Sequence, residues 1–475
     1  MSRSRYDSEM WRHQLSAIGP NMLNPPLSLL SDLLVSIVEQ LAMLRFADTS
    51  GNLRNLSLGD RAFTHSCQYI FRKLKFGTSG YGSKISEQLT NGKKFFYDKP
   101  SFANRVRVIE LEMLGEESVS LLKDPDFTSI FELFAKSPIP PYEFHLSGSV
   151  AEPILDGDHM FLMRQLTESF FSQTLTILWV KCIPNVPLPL FLIYPRLREV
   201  ILELVGATDN SYDKYPISQW SGREAPLLEV LELRYTSCTL VEQIIAPPPM
   251  FNTPVVILSN LRVLTLAPYG KEEMVSWQPI LNAACNTLEE LYLIFSSKWG
   301  VFYHRYEIDK FLKTGRQLSF AGLVNLSNLS NLKTFSFFGI VKCAPEIAPP
   351  LTVLHDINAV LRTIPKSNRV TKLWLLFEIS GVHPFLECLD QDWVGIFNEV
   401  IRIGDGKPLD LEFAISVSKK KAETEEDELY TRIMEKAATL SFHSNIYTHW
   451  WDSTFRKNMI WYYDIPLGQV CTRCR

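Results

Sequence analysis

Few residues in this chain have types and spacing that could do chemistry. Asp156, Asp158 and His159 in "DGDH" put three metal-donor side chains within four positions. Acidic residues opening a helix account for the same three more simply. Cys471 and Cys474 form a single Cys-x-x-Cys, and zinc there would need two further ligands, with His443 and His449 as the candidates. The alternative is two free thiols. "GTSGYGSK" from Gly77 is glycine-rich without phosphate-loop spacing and reads as a flexible linker. Gly-x-Ser-x-Gly, GxxxxGK[ST] and GxGxxG do not occur. The sequence therefore points to a non-catalytic protein with no metal and no cofactor.

What the chain repeats instead is a phrase, hydrophobic-x-x-hydrophobic-x-hydrophobic. Leu197, Val200 and Leu202 carry it, then Leu228, Leu231 and Leu233, and Leu261, Leu264 and Leu266. Leu288, Leu291 and Leu293 follow, then Leu332, Phe335 and Phe337, and Val370, Leu373 and Leu375. Earlier copies sit at Val106, Ile109 and Leu111 and at Leu175, Leu178 and Val180. Six consecutive copies start 31, 33, 27, 44 and 38 residues apart, a scale that means stacked units.

The alternating second half of the phrase has the period of a strand with one buried face. This predicts strands near residues 108–112, 176–180, 199–204, 230–234, 263–267, 290–295, 334–338 and 371–377. Between phrases the spacing is helical. Trp277, Ile280, Leu281 and Ala284 share one face, as do Leu351, Leu354, Ile357, Leu361 and Ile364. One strand plus one helix cannot bury its apolar face alone, so the units must stack. The pattern resembles degenerate leucine-rich repeats, which implies an α/β solenoid: a curved parallel sheet with helices on its convex side. The residue between the last two hydrophobics of each phrase points away from that core. These residues are Glu110, Trp179, Ile201, Glu232, Thr265, Tyr292, Ser336 and Trp374. Aromatic side chains at such positions favour interfaces, so Trp179, Glu232, Tyr292 and Trp374 are the candidate target-binding residues. Cover by loops or by the aromatic tail from Trp450 to Tyr463 is the alternative.

Composition narrows the classes. Of 475 residues 46% are hydrophobic and 21% charged, which excludes wholesale disorder. The net charge of −4 gives no electrostatic footprint for nucleic acid or an anionic membrane. No apolar run reaches the ~18 residues of a membrane span, and "MSRSRYDSEMWRHQ" lacks the apolar core of a signal peptide. Eight scattered cysteines suit reduced thiols, hence the cytoplasm or nucleus.

Residues 29–41, "LLSDLLVSIVEQL", form an amphipathic helix through Leu30, Leu33, Leu34, Ile37, Val38 and Leu41. A second helical run places Leu53, Leu56, Phe63, Cys67, Ile70, Phe71 and Leu74 together. Leu29, Asp32, Leu33, Leu34, Ile37, Val38 and Leu41, followed by Leu53, Leu56, Ser57, Leu58, Arg61 and Phe63, resemble the F-box of large fungal families. Leu30 stands where that motif has Pro, and Gly59 and Asp60 replace its usual Val or Cys and Ser. The trailing "CQYIFRKLKF" resembles the family's continuation into its first strand.

The resemblance implies a division of labour. The F-box, with Leu29, Leu30, Leu33, Leu34, Ile37, Val38, Leu41, Leu53, Leu56, Leu58 and Phe63, would dock a Skp-type adaptor and through it a cullin. The repeats would hold a target protein for ubiquitin transfer. The expected layout is a tail at 1–21, the F-box-like module at 22–76, the repeats at 100–418, and a helical, aromatic cap at 419–475. The other reading is a leucine-rich-repeat interaction scaffold with no ligase link, its N-terminal helices serving as a cap.

Overall fold

The structure, a computed structural model, describes residues 72–77, 85–98, 100–112, 124–148, 171–184, 186, 188–207, 224–246, 254–268, 271–295, 319–342, 352–380, 386–417, 435 and 446–451. Among the described residues twelve strands lie in a single sheet. They are β1 (Lys73–Gly77), β2 (Val108–Glu112), β3 (Glu143–Ser147), β4 (Ile177–Lys181), β5 (Glu199–Glu203) and β6 (Val230–Arg234). β7 (Val263–Ala267), β8 (Glu290–Phe295), β9 (Thr334–Lys342), β10 (Lys372–Ser380), β11 (Leu409–Val417) and β12 (Ile446–Trp451) complete it. Their spatial order is their sequence order, and every pairing is parallel. Each unit therefore pairs only with its neighbours, the solenoid-like arrangement that recurring phrases require.

All eight expected strands are present. Four more lie outside those eight ranges, β1, β3, β11 and β12, and of these only β1 opens in a stretch, "CQYIFRKLKF", that the resemblance had continuing into a first strand. Leu74 lies in β1 and not on a helical run, because "KLKF" alternates with the period of a strand. The sheet thus begins inside the range assigned to the helical module and continues through β12 into the range assigned to the cap.

Register explains the core. One column of paired residues starts at Leu74, Ile109, Phe144 and Leu178 and ends at Leu373 and Leu411. A second starts at Phe76, Leu111, Leu146 and Val180 and ends at Leu375 and Phe413. All of these are buried. Each such side chain contributes on the order of 1.5–3 kcal/mol on leaving water.

The helices cover that face. α1 (Ile85–Asp98), α2 (Pro125–Ala135), α3 (Cys238–Ile245), α4 (Trp277–Ala283), α5 (Thr352–Thr363) and α6 (Leu386–Ile403) send Leu89, Phe134, Leu240, Trp277, Leu354 and Trp393 into one cluster with both columns. The predicted faces of α4 and α5 are buried as expected at Trp277, Ile280, Leu281, Ala284, Leu354, Ile357, Leu361 and Ile364. Capping fixes where helices start. Asp124 accepts the Asp126 N–H at 2.8 Å ahead of α2, and Ser237 accepts the Leu240 N–H at 3.3 Å ahead of α3. Successive helices are also tied together. Arg402 of α6 donates to the carbonyls of Leu361 and Ile364 at 2.7 Å each, at the C-terminal end of α5.

Two features run along the edges of the strands. Behind β4, β5 and β6 the chain turns through Cys182, Leu204 and Tyr235, all in the left-handed region at φ 54–55°. Their N–H groups donate to Glu203, Arg234 and Ala267 of the next strand at 2.8, 2.9 and 2.7 Å, so each corner extends the ladder by one bond. At the opposite ends, the residues preceding β5 to β9 are Arg198, Glu229, Arg262, Glu289 and Lys333, alternating in sign. Arg198 meets Glu229 at 3.1 Å, Arg262 meets Glu289 at 3.1 Å, and Lys333 meets Glu289 at 2.9 Å.

The later units are packed with rings. Phe295 stacks on Phe320 with centroids 4.3 Å apart, and Phe337 lies 5.6 Å from Phe295 and 5.7 Å from Phe377. Gly339 makes this possible, since a Cβ there would sit 2.5 Å from the Phe337 ring.

Candidate functional site

The face of the sheet turned away from the helices, the far face, carries the residues singled out by position. Register joins them into one row: Lys75, Glu110, His145, Trp179, Ile201, Glu232, Thr265, Tyr292, Ser336, Trp374 and Glu412. Ile201 and Tyr292 are buried, yet neither belongs to the helix-side cluster. The expectation of outward positions is met.

The expectation of exposure is corrected. Tyr292 is 6% exposed and Glu232 1%, while Trp179 and Trp374 are half-buried. The reason is neighbour packing along the row. Tyr292 meets Trp374 edge to face at 6.2 Å, and its hydroxyl donates to Glu290 at 2.6 Å. Glu232 accepts from Arg234 at 2.6 Å, and Trp179 meets the His145 ring at 4.8 Å.

The two halves of the face differ. From β1 to β6 it is ionic. Glu110 lies 2.5 Å from Lys73 and 3.0 Å from Lys75, His145 Nε2 lies 2.7 Å from Glu143, and Lys181 lies 2.8 Å from Glu203. From β8 to β10 the partly or fully buried groups include the large apolar and aromatic side chains Tyr292, Ile294, Phe338, Trp374 and Leu376, together with Glu290, Thr334 and Ser336. Charge placement moves the acidities in opposite directions. Burial alone would raise the Glu110 carboxyl, but the hydrogen bonds and charges of Lys73 and Lys75 outweigh it and hold it below the usual range. Glu199 is raised, first by burial and then by the charges of Glu143, Glu232 and Glu229.

Polar atoms of this face with no hydrogen-bond partner among the described residues include the Trp179 indole N–H, the Thr265 hydroxyl and Arg234 Nε. Sequence reasoning missed Glu143 and His145 because β3 lacks the hydrophobic residue that opens the phrase, and Glu199 because the phrase was read only through its central outward position. Glu143 and Glu199 are the outward residues one step earlier, and strand alternation would have found them.

The remaining candidates lie elsewhere. The F-box residues Leu29, Leu30, Leu33, Leu34, Ile37, Val38, Leu41, Leu53, Leu56, Leu58 and Phe63 are outside the described residues, as are Asp156, Asp158, His159, His443, Cys471 and Cys474. His449 pairs with Glu412 in the β11–β12 register. Among the described residues no group of three or more His, Cys, Asp or Glu could hold a metal ion, and no helix is long and apolar enough to cross a membrane. Cys182, Cys238 and Cys285 are free thiols, and burial pushes the Cys182 thiol up to about 11. No protein-family model matches the chain, and no curated protein matches its sequence.

Proposed function

We propose that the chain is a degenerate leucine-rich-repeat protein acting as the substrate-recognition subunit of a Skp–cullin–F-box-type ubiquitin ligase in the cytoplasm or nucleus. The F-box-like helices dock the adaptor. The far face of the sheet receives the target protein, and ubiquitin transfer follows from proximity. The observation that carries this reading is the position of β1. It opens at Lys73, ten residues after Phe63, the last matched F-box position, and inside "CQYIFRKLKF", where the family's continuation into a first strand belongs. A docking module joined so closely to a long binding surface suits a receptor that must hold its target at a defined distance.

The test is adaptor capture by the full chain and by Ile37→Asp and Leu41→Asp. An unpaired charge at a docking anchor costs about 2 kcal/mol or more, so both variants should lose the adaptor while the repeats stay folded. Equal capture by both variants and the unaltered chain would remove the ligase link and leave the interaction-scaffold reading.

A further inference from the structure

Resting on the reading of the far face as a partner-binding surface, we propose that its β3–β6 part binds an extended protein segment presenting a lysine or arginine side chain to Glu143, Glu199 and Trp179. The argument begins with a charge that lacks its partner. Glu110, Glu143, Glu203 and Glu232 each lie within 3.0 Å of a Lys, Arg or His nitrogen. Glu199 has no such neighbour among the described residues. The groups that act on it electrostatically are Glu143, Glu232 and Glu229, all acidic. A half-buried carboxylate surrounded by like charge is a surface built for an incoming cation.

Register gives that cation a place. Glu143 pairs with Ile177, and Ile177 with Glu199, so the two residues flank Ile177 with their backbones about 9.6 Å apart, two strand spacings. Half-buried Ile177 offers an apolar floor for the methylene stem of a lysine or arginine. Trp179, the next residue along β4 on the same face, offers an indole to the charged head. His145 already holds Glu143 at 2.7 Å, which leaves Glu199 as the principal acceptor.

The class of partner follows from the rest of the face. The indole N–H of half-buried Trp179 lacks a hydrogen-bond partner among the described residues. A peptide carbonyl of a segment crossing β3 to β6 supplies the acceptor it lacks. A nucleic acid would bring phosphates against carboxylates.

The test uses the full chain and a fluorescein-labelled nonapeptide of alternating glycine and arginine, with its citrulline analogue as the uncharged probe. Anisotropy should show binding of the arginine peptide that weakens with salt and is absent for the citrulline peptide. Glu199→Gln should weaken it about tenfold, the size of one lost charge-assisted contact. Trp179→Leu should weaken it as well, whereas Glu132→Gln, on the exposed side of α2, should not. Glu199→Gln removes a repelled charge and should fold. Equal binding of the two peptides, an unchanged affinity in Glu199→Gln, or no binding by the unaltered chain would each overturn the cation site. None of these results touches adaptor capture. If the peptide responds to Trp374→Ala and not to Glu199→Gln, the far face remains the partner surface and the cation site falls.

Discussion

Tyr292 of β8 and Trp374 of β10 touch each other across an intervening strand, with ring centroids 6.2 Å apart and planes at 60°. Between them in register sits Ser336, small enough to leave the rings in contact and itself 7% exposed. The two aromatics are thus a bridge spanning three units. A double-mutant cycle with Tyr292→Ala and Trp374→Ala should give a coupling of about 0.5–1.5 kcal/mol in denaturant melts. Additive effects would show that the rings act independently.

Glu199 and Glu110 should respond to pH with opposite signs. The Glu199 carboxyl is raised in the folded chain, so its contribution to stability falls as pH rises from the usual carboxylate range through its folded value. Glu199→Gln should therefore raise the melting temperature at neutral pH and lose that advantage in acid. Glu110 is held down by Lys73 and Lys75, so its contribution is present above the usual range and lost as pH falls through the depressed value. Glu110→Gln should lower the neutral-pH melting temperature, with the difference shrinking in acid. Parallel pH profiles for the two variants would contradict both assignments.

Gly339 should tolerate no side chain. A Cβ at 2.5 Å from the Phe337 ring forces movement in a stack that already includes Phe295, Phe320 and Phe377. Gly339→Ala should destabilise by about 1–3 kcal/mol, the usual range for overpacking. Pairing it with Phe337→Leu should recover part of that loss, measured by the same melts.

Leu204 holds a backbone conformation at φ 54° that disfavours any side chain and β-branched ones most. Leu204→Val should lower the melting temperature more than Leu204→Gly does, although Val preserves more apolar surface. The reverse order would mean that side-chain packing, and not the corner's geometry, decides this position.

How legible the fold was depended on the residue opening each phrase. The eight strands introduced by Leu or Val were readable because that residue marks the turn. Before β3 the equivalent position is Pro141, so Phe144 and Leu146 stood without their signal. β1 was absorbed into the helical reading of "YIFRKLKF", where apolar residues fit both periods. β12 was hidden in an aromatic stretch that resembled a cap. At the candidate site, Trp179, Tyr292 and Trp374 were placed on the correct face from alternation alone. Their burial was not readable, because it comes from residues on strands up to 82 positions away, as between Tyr292 and Trp374.

The alternating charges of Arg198, Glu229, Arg262, Glu289 and Lys333 give this stretch a parity. Removing the β6 unit would set Arg198 beside Arg262, and removing the β7 unit would set Glu229 beside Glu289. Removing both would bring Arg198 to Glu289 and restore an opposite pair. Units in this part of the chain are therefore exchangeable in twos and not singly. A line of descent that gained or lost repeats here would be expected to do so by even steps, with the sign of one rim residue recording where a step was made.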